Sequence, residues 1–290
     1  MIAAEKRGIM KKGVAEYLAR MNVTIVELEY VPCDKPIFEA DEIKDAKTKE
    51  GNTCVKPYPD IKVRWGRYPR LRDALKECTA CTGPVLISDA RDVLFQRDPL
   101  GDDVEEIEGL QLFAEHHTIS AGHPFTQKRV SQCYDDYSMA GKPMLCSGTT
   151  VGTREAMLEY MTIMYHEMKH WMTEEKCFFK SHGGDQAIMN YLYYTGKFNH
   201  LNPQIFWPQN GIVNTVGTLG VGNAKVRFRS KVNTYPGSSR MSWAGAHIGL
   251  INHRGFFTEL DGSLSRVVHQ YDRFGNQFID WFDKKSQLYD

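Results

Sequence analysis

Apolar positions along this chain switch repeatedly between a helical and a strand period. Residues 9–21 follow a helical pattern, and VTIVELEY (23–30) reads as a strand of β-branched and alternating residues. A polar stretch at 40–60, rich in Lys, Asp, Pro and Gly, reads as a loop. Helical character resumes over 68–78 and ends at the breaker Thr82-Gly83-Pro84. The short, bounded run Val85-Leu86-Ile87 then predicts a strand buried on both faces. GLQLFAEHH (109–117) and PMLCSGTTVG (143–152) predict two more strands. Helices follow from about Arg154 to Met172 and from about Gly184 to Tyr194. Strands alternating with helices up to residue 195 predict an α/β fold with a mostly parallel central sheet flanked by helices. From 200 to 255 the chain is irregular, rich in Asn, Gly, Pro, Ser and aromatics, with short strand candidates such as KVRFRS (225–230). Neither an internal repeat nor a linker interrupts it, so residues 1–290 read as a single domain.

Composition narrows the picture. A chain of 290 residues with 42% hydrophobic and 25% charged residues can bury a sizeable core. Basic and acidic side chains balance at 36 each, which argues against nucleic acid or an anionic membrane as the main partner. No apolar run approaches the ~20 residues of a membrane span. Residues 1–13, MIAAEKRGIMKKG, show scattered charges rather than an apolar leader or a strand pattern. The expectation is a cytoplasmic protein or a soluble domain of a longer one. Seven cysteines are an odd number, thinly spread, and are expected to be reduced thiols. Cys78 and Cys81 form a C-x-x-C without a second pair at zinc-ribbon spacing. The sequon at Asn22 opens the predicted strand, a poor place for a glycan.

One local motif suggests a metal. HEMKH (166–170) matches the H-E-x-x-H pattern in which two histidines one helical turn apart hold zinc beside a glutamate base. At about 100° per residue, however, Met157, Met161, Met164, Met168 and Trp171 form the apolar face of this helix. His166 falls almost opposite that face and His170 only slightly nearer to it. The third-histidine position of the extended pattern is Lys176, so a solvated helix face outweighs a zinc metalloprotease.

SDARD (88–92) is a stronger signal. It places Asp89 and Asp92 at the carboxyl end of a strand, where open α/β sheets bind ligands. Two carboxylates in a tight turn can face one hard divalent ion; equally, they can form a helix cap and a salt bridge with Arg91. In DGSLSRVVHQYDR (261–273), His269 follows an apolar run and is a candidate third ligand, with Arg273 close behind. SHGGDQAIMNYL (181–192) sets Asp185 and Gln186 at a helix start, where an Asp is either a cap or a functional carboxylate. Trp207, Trp243 and Phe256–Phe257 are either core residues or platforms for a sugar ring.

In this order, VLISDARDVLFQRDPL, LCSGTTVGTREAML, SHGGDQAIMNYL and VVHQYDR resemble the metal-dependent, nucleotide-sugar glycosyltransferases of the GT-A fold, over roughly residues 60–275. The resemblance implies a Rossmann-like α/β domain, with a nucleotide and metal half at about 1–150 and an acceptor-side half at about 151–290. It implies that Mn²⁺ or Mg²⁺ bridges the diphosphate of a nucleotide sugar, with UDP the expected nucleotide and a glycan or glycoconjugate the acceptor. Asp89 and Asp92 then occupy the D-x-D position, as D-A-R-D, and His269 is the further metal ligand. Ser147 and Gly148 line the donor sugar, as does Cys146. Asp185 is the catalytic carboxylate beside donor and acceptor, next to Gln186, while Arg91 and Arg273 offset phosphate charge. A catalytically inactive relative that only binds sugar or nucleotide is the alternative within the same reading.

Overall fold

The computed structural model of the protein describes residues 2–5, 20, 23, 25–34, 53–63, 65–115, 121–135, 137–177, 184–217, 252 and 256–274. The predicted helix at 9–21 (Arg20 apart), the strand candidate at 225–230, Asn22 and Trp243 lie outside them. The described residues form a mixed α/β structure of strands β1 (Ile2–Glu5), β2 (Ile25–Leu28), β3 (Tyr30–Pro32), β4 (Thr53–Val55), β5 (Tyr58–Lys62), β6 (Val85–Ser88), β7 (Val93–Phe95), β8 (Leu110–Ala114), β9 (Leu145–Gly152), β10 (Pro203–Phe206), β11 (Val213–Thr215) and β12 (Val267–His269). Its longer helices are α1 (Arg67–Glu77), α2 (Pro124–Cys133), α3 (Arg154–Thr173) and α4 (Gly184–Tyr194). Contacts divide the chain into two interleaved units, one of residues 1–83, 124–138 and 154–197, the other of residues 84–123, 139–153 and 198–290. No single cut near residue 150 separates them.

The first unit carries the four helices. Met157, Met161, Met164 and Met168 on α3 are fully buried and Trp171 nearly so, the stripe that helical spacing predicted. This helix packs on α1, α4 and β5, and α2 packs on α4. Two expectations change here. Ile2–Glu5 is a strand paired in parallel with Ile25–Leu28, although only three apolar residues mark it. Part of the polar 40–60 stretch is an antiparallel hairpin, β4–β5, whose Cys54, Val55 and Ile61 are fully buried.

The cysteines correct the reduced-thiol expectation. Disulfides join Cys33 to Cys54, Cys78 to Cys81 and Cys133 to Cys177, with Cα atoms 4.9, 5.4 and 4.2 Å apart. Their spacings along the chain showed no framework because the fold, not proximity in sequence, brings residues 133 and 177 together. The C-x-x-C bridge begins at the carboxyl cap of α1. A reactive C-x-x-C uses a helix amino end, whose dipole stabilises a thiolate; the carboxyl end does the opposite.

The second unit holds the central sheet, in the order β10-β8-β9-β6. Here the mostly parallel expectation fails: β10–β8 is parallel, but β8–β9 and β9–β6 are antiparallel. A second sheet, β11-β12-β7, is also mixed. Hydrophobic runs record burial rather than strand direction, so β8 and β9, buried at every residue, looked like parallel strands. Conversely, β6 is only partly buried, because it is the edge strand of its sheet. Ile107, Phe113, Val151, Ile212, Val213 and Val267 form the core between these strands.

A candidate metal centre

Two antiparallel ladders build the site. On one, Ser88 pairs with Thr149, so the next residues outward, Asp89 and Gly148, face each other. The Asp89 amide donates to the Gly148 carbonyl at 2.7 Å. On the other, His269 pairs with Val93, which sets Asp92 opposite Gln270. The Gln270 amide donates to the Asp92 carbonyl at 2.7 Å. Three segments remote in sequence are thus fixed backbone to backbone where their functional side chains converge.

The ligand atoms of Asp89, Asp92 and His269 all lie within 4.8 Å of one another. His269 Nε2 is 3.7 Å from Asp89 Oδ2 and 3.8 Å from Asp92 Oδ1, too far for hydrogen bonds. Atoms that share one ion at roughly 2.1 Å lie about 3–4 Å apart, so these separations suit a common ion. Nε2 is also buried with no hydrogen-bond partner, a state that a native fold tolerates poorly. Burial by itself disfavours an imidazolium, yet the Cys146 sulfur and the Asp89 and Asp92 carboxylates raise the His269 pKa to about 10. The cluster therefore attracts positive charge, as a proton on His269 or as a metal ion. Two carboxylates and an imidazole suit Mn²⁺ better than Mg²⁺, which prefers an all-oxygen shell.

Gly148 bounds this space. A Cβ there would stand 2.6 Å from His269 Nε2 and 2.8 Å from Asp89 Oδ2, closer than real contacts allow. Ser147, beside it on β9, is buried. Arg91, inside D-A-R-D, is largely exposed and pairs with Asp272 at 3.3 Å. Arg273 follows in the short 3₁₀ turn Tyr271–Phe274.

Asp185 and Gln186 belong to the other unit. Asp185 lies in the first turn of α4 and pairs with Arg67, the first residue of α1, at 2.6 Å. Burial lowers the pKa of Arg129 to about 10 while the Asp185 charge opposes it. Gln186 accepts at its carbonyl from the Asn190 side chain. Neither Arg67 nor Arg129 carried a motif, so pattern reading missed both. Among the aromatics, Phe257 is core and Trp207 is 38% exposed.

Among the described residues, the H-E-x-x-H helix assembles no comparable group. His166 and His170 are exposed, as their angle on the helix predicted. Glu167 accepts from Trp171 Nε1 at 2.9 Å and from the Tyr134 hydroxyl. Burial raises its pKa, and the Trp171 bond offsets this in part. His170 does lie near Cys133 and Cys177, but those sulfurs are bonded to each other.

No protein-family model matches the chain, and no curated protein matches it. The functional reading therefore stands on these residues.

Proposed function

We propose that the chain is a metal-dependent glycosyltransferase of the GT-A type, moving a sugar from a nucleoside diphosphate, UDP by preference, to a glycan or glycoconjugate acceptor. The convergence of Asp89, Asp92 and His269 carries this reading, because two separate sequence motifs meet there as one donor set. These three residues would hold Mn²⁺ or, less well, Mg²⁺. A bound divalent ion supplies Lewis-acid stabilisation of the diphosphate leaving group. Gly148 keeps side-chain atoms out of the space next to the cluster. Arg91, largely exposed and paired with Asp272 at 3.3 Å, would offset phosphate charge. Asp185, paired with Arg67 within the first unit, is kept as the candidate catalytic carboxylate on its sequence context alone.

No helix among the described residues is long and apolar enough to cross a membrane. Three disulfides fit an oxidising compartment better than the reducing cytosol, against the cytoplasmic expectation.

The test is a screen of UDP- and GDP-sugars for Mn²⁺-dependent release of nucleotide, with and without oligosaccharide acceptors. Release that disappears in Asp92→Asn supports the reading. Tight UDP–Mn²⁺ binding without turnover of any donor would identify an inactive relative instead. Absence of Mn²⁺-dependent nucleotide binding would remove the reading altogether.

A further inference from the structure

The metal-facing nitrogen of His269 is only half of that ring. The other nitrogen, Nδ1, lies 3.5 Å from the sulfur of Cys146, in the interior of the second unit. Cys146 is the free cysteine left by the three disulfides and is 2% exposed. The side-chain amide of Gln270 donates to the same sulfur at 3.5 Å. Gln270 takes φ +65°, a left-handed conformation costly for its residue type, and such strain persists where surroundings over-determine it. Here its amide holds Asp92 and its side chain holds Cys146. Gly217 makes room: a Cβ there would stand 2.6 Å from the Gln270 Cβ.

We infer that Cys146 is a positioning residue for the metal centre, with Gln270 as its support; this rests on the metal reading above. An imidazole ligates a metal only through a bare nitrogen, so a proton must sit on the other one. Two nitrogens converge on one sulfur, and the side-chain nitrogen of Gln270 can only donate. With the sulfur as acceptor for both, Nδ1 carries the proton and the lone pair of Nε2 faces Asp89 and Asp92. Cys146 thus selects the tautomer and fixes the ring plane, without touching the ion.

The experiment is a titration of the full chain with Mn²⁺ alone, read by the loss of free-ion electron paramagnetic resonance signal. Thermal melting of each metal-free variant serves as the fold control. Cys146→Ala should bind Mn²⁺ roughly 10- to 100-fold more weakly than wild type. Cys146→Ser, which still accepts a hydrogen bond, should recover part of that loss. Affinity in Cys146→Ala within twofold of wild type would overturn the role of Cys146 and leave the metal centre standing. A wild type that takes up no Mn²⁺ would overturn both. Ring ¹⁵N spectra of the unmutated protein with diamagnetic Zn²⁺ give a readout that needs no variant. The Nδ1–H form of His269 is expected, and the Nε2–H form would refute the inference.

Discussion

Two places among the described residues offer metal-binding side chains, and they differ in how they are assembled. HEMKH on α3 has ideal spacing, yet its histidines stand in solvent and its glutamate is tied to Trp171 and Tyr134. Asp89 and Asp92 share one short turn but His269 lies far along the chain from them, and two strand ladders bring all three to a common point. Helical spacing places two residues on one face but does not decide whether that face meets water or a partner. Ladder pairing decides more, because register fixes which residues oppose each other beyond the strand ends.

Substitutions can break this contrast. The largest effect is expected at Asp92: Asp92→Ala should weaken Mn²⁺ binding by roughly 100-fold or more, leaving a buried imidazole facing a single carboxylate. Undiminished affinity in calorimetry would place the metal elsewhere. Gly148→Ala should act on the same cluster by sterics, since the added methyl group collides with His269 and Asp89. It should weaken Mn²⁺ binding by about tenfold or more, a loss to be read in the same titration.

On the helix side, replacing both Cys133 and Cys177 with alanine should cost roughly 2–4 kcal/mol in denaturant unfolding, the usual contribution of a bridge closing a loop of this length. Metal affinity should be unaffected.

A smaller effect comes from Glu167. Burial raises its carboxyl above the ordinary range, so the folded state binds this proton more tightly than the unfolded chain. Its contribution is most favourable below the unfolded-state value, and stability declines as pH rises from there through the folded-state value. Glu167→Gln keeps an acceptor for Trp171 and should flatten that part of the stability–pH curve. An unchanged curve would show that Glu167 ionises without cost.

The smallest effect is expected at His166. His166→Ala should alter stability by no more than about 0.5 kcal/mol and leave Mn²⁺ binding intact. A stoichiometric zinc lost with this substitution would reverse the comparison.

Local pattern carried part of the structure. The helices at 154–173 and 184–194, and the buried strands at 110–114 and 145–152, were legible because periodicity and breakers act over a few residues. The two aspartates and His269 were legible as candidates because their residue types and flanking strands are local too. The hairpin at 53–62 and the strand at 2–5 were not, since each gains stability from partners rather than from its own pattern.

What only the tertiary structure decided is pairing: which strands run antiparallel, which cysteines bond, and which residue stands behind His269. Cys146 and His269 are 123 positions apart, and no spacing rule reaches that far. By itself the sequence determined which residues have chemistry to offer. The fold determined which of them meet, because burial and register are properties of several segments at once.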